Sequence, residues 1–135
     1  MYKKIIVAFL KDKITNLEAV ILFGSYAKNL ADKNSDIDVA FLSKDKIFNL
    51  ERWQLQEDLA SKLNKNIDLI NLETATDVLK FQIASQGKVI YAADRQNVEN
   101  YLDKIYTAYL QLNEDRKGIL EDISKGVYYE RRSNH

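Results

Sequence analysis

The 135-residue chain has no cysteine and no proline. Without thiols it can build neither a disulfide framework nor a Cys-based zinc site. Its one histidine is the last residue, His135. That position reads as a frayed terminus, which removes a Ser-His-Asp triad from any ordered site. An excess of charge of one sign is also missing, because 20 Lys and Arg balance 20 Asp and Glu. A dedicated nucleic-acid binder carries a basic excess to neutralise phosphates. The balance therefore argues against nucleic acid as a partner and leaves room only for a local basic patch. No apolar run approaches the ~20 residues of a membrane span, and the one within Met1 to Leu10 is too short for a signal peptide. A cytoplasmic protein without membrane association is the expectation. Four glycines, Gly24, Gly87, Gly118 and Gly126, are the only ones in the chain. With 46% hydrophobic residues it has enough apolar material for a core. No repeat or linker divides it, so one domain over residues 1–135 is expected, with a C-terminal helix and tail from about residue 97.

What is present is a spacing: Gly24-Ser25, ten residues, then Asp36-Ile37-Asp38. The Gly-Ser pair follows the apolar run 19–23, and the two acids open the apolar run 39–42. Side chains two apart on a strand point the same way, so Asp36 and Asp38 are expected side by side on one sheet face. Two such acids repel unless a cation lies between them. A small backbone turn nearby suits a phosphate. Carboxylates, metal and phosphate together indicate phosphoryl or nucleotidyl transfer. With each fixed residue at roughly 6% frequency, chance supplies the pattern in about one chain of this length in a thousand. The bland alternative is a Gly-Ser turn followed by an Asp-rich loop, Asp32 to Asp38, that merely solvates a strand entrance.

Apolar periodicity predicts helices over 3–14, 49–63 and 76–85, and a long one from Asp94 or Asn97 towards Ile123. Strands are predicted over 18–23, 36–42, 67–72 and 89–91. A short helix over Ser25 to Leu30 would aim its N-terminal N–H groups at an anion. Asn49 is the expected cap of its helix, whose apolar stripe is read as Leu50, Trp53, Leu59, Ala60 and Leu63. The result is an α/β (α+β) architecture, a small mixed sheet packed with helices. Tyr101, Tyr106, Tyr109, Tyr128 and Tyr129 crowd the C-terminal segment, where Tyr101 and Tyr109 are read as facing the core.

A third acid, Asp68, sits inside the run Ile67-Asp68-Leu69-Ile70, where an unpaired charge is costly. If its strand lies beside the second, Asp68 approaches Asp36 and Asp38. Three carboxylates with a triphosphate supply the oxygen ligands that two Mg²⁺ ions require. The alternative is a hydrated acid at a strand mouth.

These residues resemble the DNA polymerase β-like nucleotidyltransferase superfamily, whose signature is Gly-Ser, a spacer, Asp-x-Asp and a later strand acid. The short chain and the segment Gly87-Lys88-Val89-Ile90-Tyr91 resemble its minimal nucleotidyltransferase (MNT) group. The resemblance implies that Gly24 and Ser25 bind the phosphates of ATP. It implies that Asp36, Asp38 and Asp68 hold two Mg²⁺ ions, and that Asp68 helps deprotonate the acceptor. Relatives read Gly-Ser-x-Ala-Arg-Gly where this chain has Gly24-Ser25-Tyr26-Ala27-Lys28-Asn29. Lys28 keeps the charge of that arginine without its bidentate fork, as a nucleotide-binding candidate, and Asn29 tolerates a left-handed turn.

Many MNT proteins are encoded with a HEPN-domain RNase toxin. The resemblance then implies a type VII antitoxin that assembles with that toxin and transfers AMP from ATP to one of its tyrosines. The HEPN signature itself, Arg and His separated by four to six residues, is absent, since Arg131 and His135 are too close. Two other readings stay open: an antitoxin that neutralises by masking over a vestigial site, and a small-molecule nucleotidyltransferase of the aminoglycoside-modifying kind.

Overall fold

The computed structural model describes residues 2–28, 30–32 and 34–124, with side chains through Asp115. The expectations for Asn29, Tyr128, Tyr129, Arg131 and His135 lie outside those residues. In chain order the elements are α1 (Tyr2–Lys13), β1 (Leu17–Phe23), β2 (Ile37–Ser43), α2 (Asn49–Leu63), β3 (Ile67–Asn71), α3 (Asp77–Gln86), β4 (Lys88–Ala92) and α4 (Arg95–Ser124). Single 3₁₀ turns at Gly24–Tyr26 and Leu72–Thr74 follow β1 and β3.

The strands form one mixed sheet in the order β3-β2-β1-β4. β1 pairs antiparallel with β2 and with β4, while β2 pairs parallel with β3. β1 and β2 are central and buried on both faces, which is why they read as continuous apolar runs. Alternate residues feed two cores. Val20, Leu22, Val39, Phe41 and Leu69 pack with Ile6 and Leu10 of α1 and Leu55 and Leu59 of α2. Ala19, Ile21, Phe23, Ala40 and Leu42 pack on the opposite face with Ile83 of α3 and Val98 of α4. Tyr101 packs against that second core. Tyr109 stacks on Phe81 with ring centroids 4.3 Å apart, and Tyr106 stacks on the same ring at 5.2 Å.

Helix ends follow local chemistry. Thr76 caps α3 by accepting from the Leu79 N–H. Asp94 caps α4 by accepting from the Asn97 N–H. Gly87 closes α3 where a Cβ would collide with the Ile83 carbonyl oxygen and would lie 3.3 Å from its carbon.

The expectation for α2 is corrected. Phe48 holds the cap position, and Asn49 instead accepts from Arg52 Nε at 2.8 Å. Leu50 and Trp53 are exposed, at 77% and 47%, while Leu55 and Leu59 are buried. Leu59, Ala60 and Leu63 of the expected stripe do pack on the first core, but Leu50 and Trp53 do not, because the inner face also carries a polar task. Leu69 lies in β3, an edge strand whose backbone groups face no further strand. The Leu69 N–H donates to Gln56 Oε1 at 3.0 Å, and Arg52 Nη1 donates to the Leu69 carbonyl at 2.8 Å. Side chains of the crossover helix thus complete the edge, which also guards it against other chains.

Gln56→Ala leaves the part-buried Leu69 N–H without its acceptor, at an expected cost of about 1–3 kcal/mol. Gln54→Ala, on the exposed side of α2, is expected to change stability by less than about 0.5 kcal/mol. Urea unfolding of the two variants tests this, and equal midpoints would refute the role given to Gln56.

Candidate active site

The sheet register brings the acids together. Asp38 is the Cα partner of Asp68 across the parallel β2–β3 pair and of Phe23 across β1–β2. Adjacent strands lie about 4.8 Å apart, so Asp38 and Asp68 stand next to one another on the face that carries Phe23 and Ala40. Asp36 lies one residue before β2, which corrects the expected strand start. The Ile37 N–H bonds to the Asn66 carbonyl at 3.0 Å, which ties the entrance of β2 to the turn before β3. Asp36 and Asp68 are exposed, and Asp38 is half-buried.

These positions have an electrostatic consequence. The Asp38 carboxyl is raised above the ordinary aspartate range, first by burial, then by the charge of Asp68 and then by that of Asp36. Each cause disfavours the ionised form. Asp38 therefore feels both of the other acids. Among the described residues, no three Asp, Glu, His or Cys side chains stand in an arrangement that could hold a metal ion.

Gly24 follows β1 with φ +69°, a left-handed value that suits glycine. A Cβ there would run into Asp38 Oδ2 and would lie 3.1 Å from Asp38 Cγ. The turn and the acid are thus in direct apposition, and only a bare backbone fits between them. The short helix expected over Ser25 to Leu30 is not formed. The segment makes one 3₁₀ turn, Gly24–Tyr26, and the Leu30 N–H closes it on the Ser25 carbonyl at 2.9 Å. A six-residue stretch is too short to offset helix nucleation. Tyr26 and Ala27 serve the first core instead, where Tyr26 meets the Tyr2 ring edge-on with centroids 5.3 Å apart, while Leu30 stays exposed. No helix dipole is therefore aimed at an anion, and what the turn at Gly24 and Ser25 offers instead is backbone amides, a chemistry suited to phosphate. Lys28 is exposed on this turn, with no contact to the three acids among the described residues.

The sequence reading missed the residue that shapes the approach to Asp36. Asp32 Oδ1 accepts from the Asn34 N–H at 2.8 Å, and the Asp32 N–H donates to Ser35 Oγ at 3.0 Å. An Asp followed three residues later by Ser is a legible turn signal. It was hidden by the count of acids between residues 32 and 38.

Known proteins resemble the chain in sequence and in fold. Residues 3–96 match the family described as polymerase beta, nucleotidyltransferase. The chain belongs to this nucleotidyltransferase family. It is 37% identical to the protein adenylyltransferase MntA of Shewanella oneidensis over 118 residues, which is 87% of this chain and 84% of that protein. A second protein adenylyltransferase MntA, from Aphanizomenon flos-aquae, is 26% identical over 82% of this chain and 81% of its own length. A crystal structure of a toxin–antitoxin with AMP-PNP superposes at a TM-score of 0.81 and 35% identity, over 92% of this chain and 99% of that one. A complex of a tri-AMPylated Shewanella oneidensis HEPN toxin with MNT antitoxin superposes at 0.75 and 34% identity, over 91% and 96%. The polymerase β-type fold expected from the motif is therefore present. Among the described residues, no helix is long and apolar enough to cross a membrane.

In the metal-free nucleotidyltransferase, Asp38→Asn is expected to raise stability at neutral pH. The folded chain holds the Asp38 proton more tightly than the unfolded chain does. Its contribution is therefore full below the unfolded value, about pH 4, and is lost as pH rises through the folded one. Thermal melts in EDTA from acid to neutral pH check this. The gap between variant and wild type should be widest at neutral pH, and a gap that grows on acidification contradicts the assignment.

Proposed function

We propose that this chain is a protein adenylyltransferase antitoxin that transfers AMP from ATP to a tyrosine of a HEPN-domain toxin and thereby neutralises it. The observation that carries the reading is the apposition of Gly24 to Asp38, with Asp68 in register beside it. Its similarity to MntA proteins, and to chains solved with a toxin and an ATP analogue, supports the same conclusion.

Gly24 and Ser25 cradle the β- and γ-phosphates through turn amides. Asp36, Asp38 and Asp68 would hold two Mg²⁺ ions once their side chains converge from the arrangement described above, since Asp38 and Asp68 are already in register across β2–β3 and Asp36 lies two residues before Asp38. When bound, Mg²⁺ supplies charge stabilisation at the phosphoryl oxygens, worth several kcal/mol. The tyrosine oxygen bonds to the α-phosphorus, and the bond from that phosphorus to the bridging oxygen breaks. Pyrophosphate departs with the electron pair, and the hydroxyl proton passes to Asp68 and on to solvent. A cytoplasmic site of action fits an ATP-consuming antitoxin.

The masking alternative has one observation in its favour, the lack of a ready metal-holding cluster among the described residues. The two readings separate in one experiment. With Mg²⁺, ATP labelled at the α-phosphate and purified HEPN partner, the chain is expected to label a partner tyrosine. EDTA is expected to abolish labelling. Asp36→Asn or Asp38→Asn should slow it by at least about a hundredfold, given the loss of metal charge stabilisation. If the Asp36→Asn/Asp38→Asn variant binds and neutralises the toxin as well as wild type does, masking replaces transfer.

A further inference from the structure

We infer that Arg52 and Gln56 are positioning residues for adenylyl transfer, acting on Asp68 through the backbone of Leu69. The inference rests on the adenylyl-transfer reading above and adds what keeps its third carboxylate in place.

The two acids in register are held differently. Asp38 is half-buried on a strand with a neighbour on each side, β1 and β3. Asp68 is exposed on β3, which pairs with β2 alone. Packing therefore does little to place its side chain, and the path of its backbone decides where the carboxylate stands. Backbone groups of successive strand residues point to opposite edges of the strand. The Asn66 carbonyl faces β2, where it accepts from the Ile37 N–H. By alternation the backbone of Asp68 faces β2 as well, and that of Leu69 faces the open edge.

A ring of three hydrogen bonds closes that edge. The Leu69 N–H donates to Gln56 Oε1 at 3.0 Å, while Arg52 Nη1 donates to the same oxygen at 3.3 Å and to the Leu69 carbonyl at 2.8 Å. Arg52 Nε donates to Asn49 Oδ1 at 2.8 Å, which steadies the guanidinium. Leu55 and Leu59, buried in the first core, anchor the helix that carries the ring. The peptide unit between Asp68 and Leu69 is thus fixed from both sides, by β2 and by α2. Edge protection alone needs no such ring, since a charged or short edge strand suffices. The other edge strand, β4, carries none of the three acids, and among the described residues no side chain bonds its backbone.

A displacement of about 1 Å caused by a change far from the chemistry can cost roughly a hundredfold in rate. Initial rates of label transfer from α-labelled ATP to the purified HEPN partner test the assignment with the full chain, at a temperature where circular dichroism shows every variant folded. Gln56→Ala and Arg52→Ala are each expected to lower kcat at least roughly tenfold, with KM for ATP within about threefold of wild type. Gln56→Glu keeps an acceptor for the Leu69 N–H and is expected to restore most of the lost kcat. Ala60→Gly weakens the same helix at a position that does not bond Leu69, and is expected to keep the wild-type kcat and KM. Amide exchange followed by NMR gives a readout without nucleotide. The Leu69 N–H is expected to exchange at least roughly tenfold faster in Gln56→Ala than in Ala60→Gly. An active wild type whose Gln56→Ala variant keeps kcat within about twofold refutes the positioning role, as does an equal loss of kcat in Ala60→Gly. A wild-type chain that labels no partner refutes the transfer reading itself, and the inference with it.

Discussion

Parallel pairing of β2 with β3 is the constraint on which the site depends. It sets Asp38 beside Asp68, as Cα partners across the two strands. A parallel pair cannot be joined by a tight turn, so the chain must cross over the sheet and return. The crossover is α2, and it does more than span the gap. Leu55 and Leu59 bury its apolar side in the first core, while Arg52 and Gln56 complete the backbone of β3 at Leu69. Asp68 is the residue next to Leu69. The helix that fixes the edge strand therefore also fixes the third carboxylate, from a different layer of the fold.

The second constraint is the absence of a side chain. Gly24 faces Asp38 so closely that a Cβ would occupy the carboxylate's space. In the transfer reading, a phosphate over this turn would lie against the acid that Gly24 faces. The site is asymmetric in consequence. Its β1 side offers bare backbone suited to an anion, and its centre holds surplus negative charge. A nucleoside triphosphate with cations would match both regions in the transfer reading.

The legible part of the fold was the part buried on two sides. β1 and β2 announced themselves as unbroken apolar runs because both faces of each are covered, and the Gly-Ser to Asp-x-Asp spacing spans the turn between them. The segment between the two was less legible. Ser25 to Leu30 has helical composition, yet it is too short to nucleate, and Tyr26 is drawn to the ring of Tyr2. The inner face of α2 was misread for a different reason. Hydrophobic periodicity assumes that a helix turns its apolar residues inward, whereas here an unpaired strand edge called Arg52 and Gln56 inward and left Trp53 outside. Such a demand is invisible until it is known which strand forms the edge. Asp32 shows the opposite case, where the signal was present but neighbouring acids drew the reading towards metal chemistry.

The electrostatics of Asp38 link folding to reaction. In the bare chain its ionised form is disfavoured by burial and by two neighbouring charges, so the fold is least comfortable where its chemistry occurs. Whatever cancels that charge binds the folded state and not the unfolded one, and stabilises it by mass action. In the transfer reading, cations and the nucleotide they accompany would relieve the disfavoured charge of Asp38. A surface that only masked a toxin would have no use for such charge. It would be served equally by Asn at positions 36 and 38, which keep the shape and relieve the strain of like charges. Acids at both positions, with Asp68 brought into register by a crossover helix, are what the transfer reading requires, whereas the masking reading gives them no task.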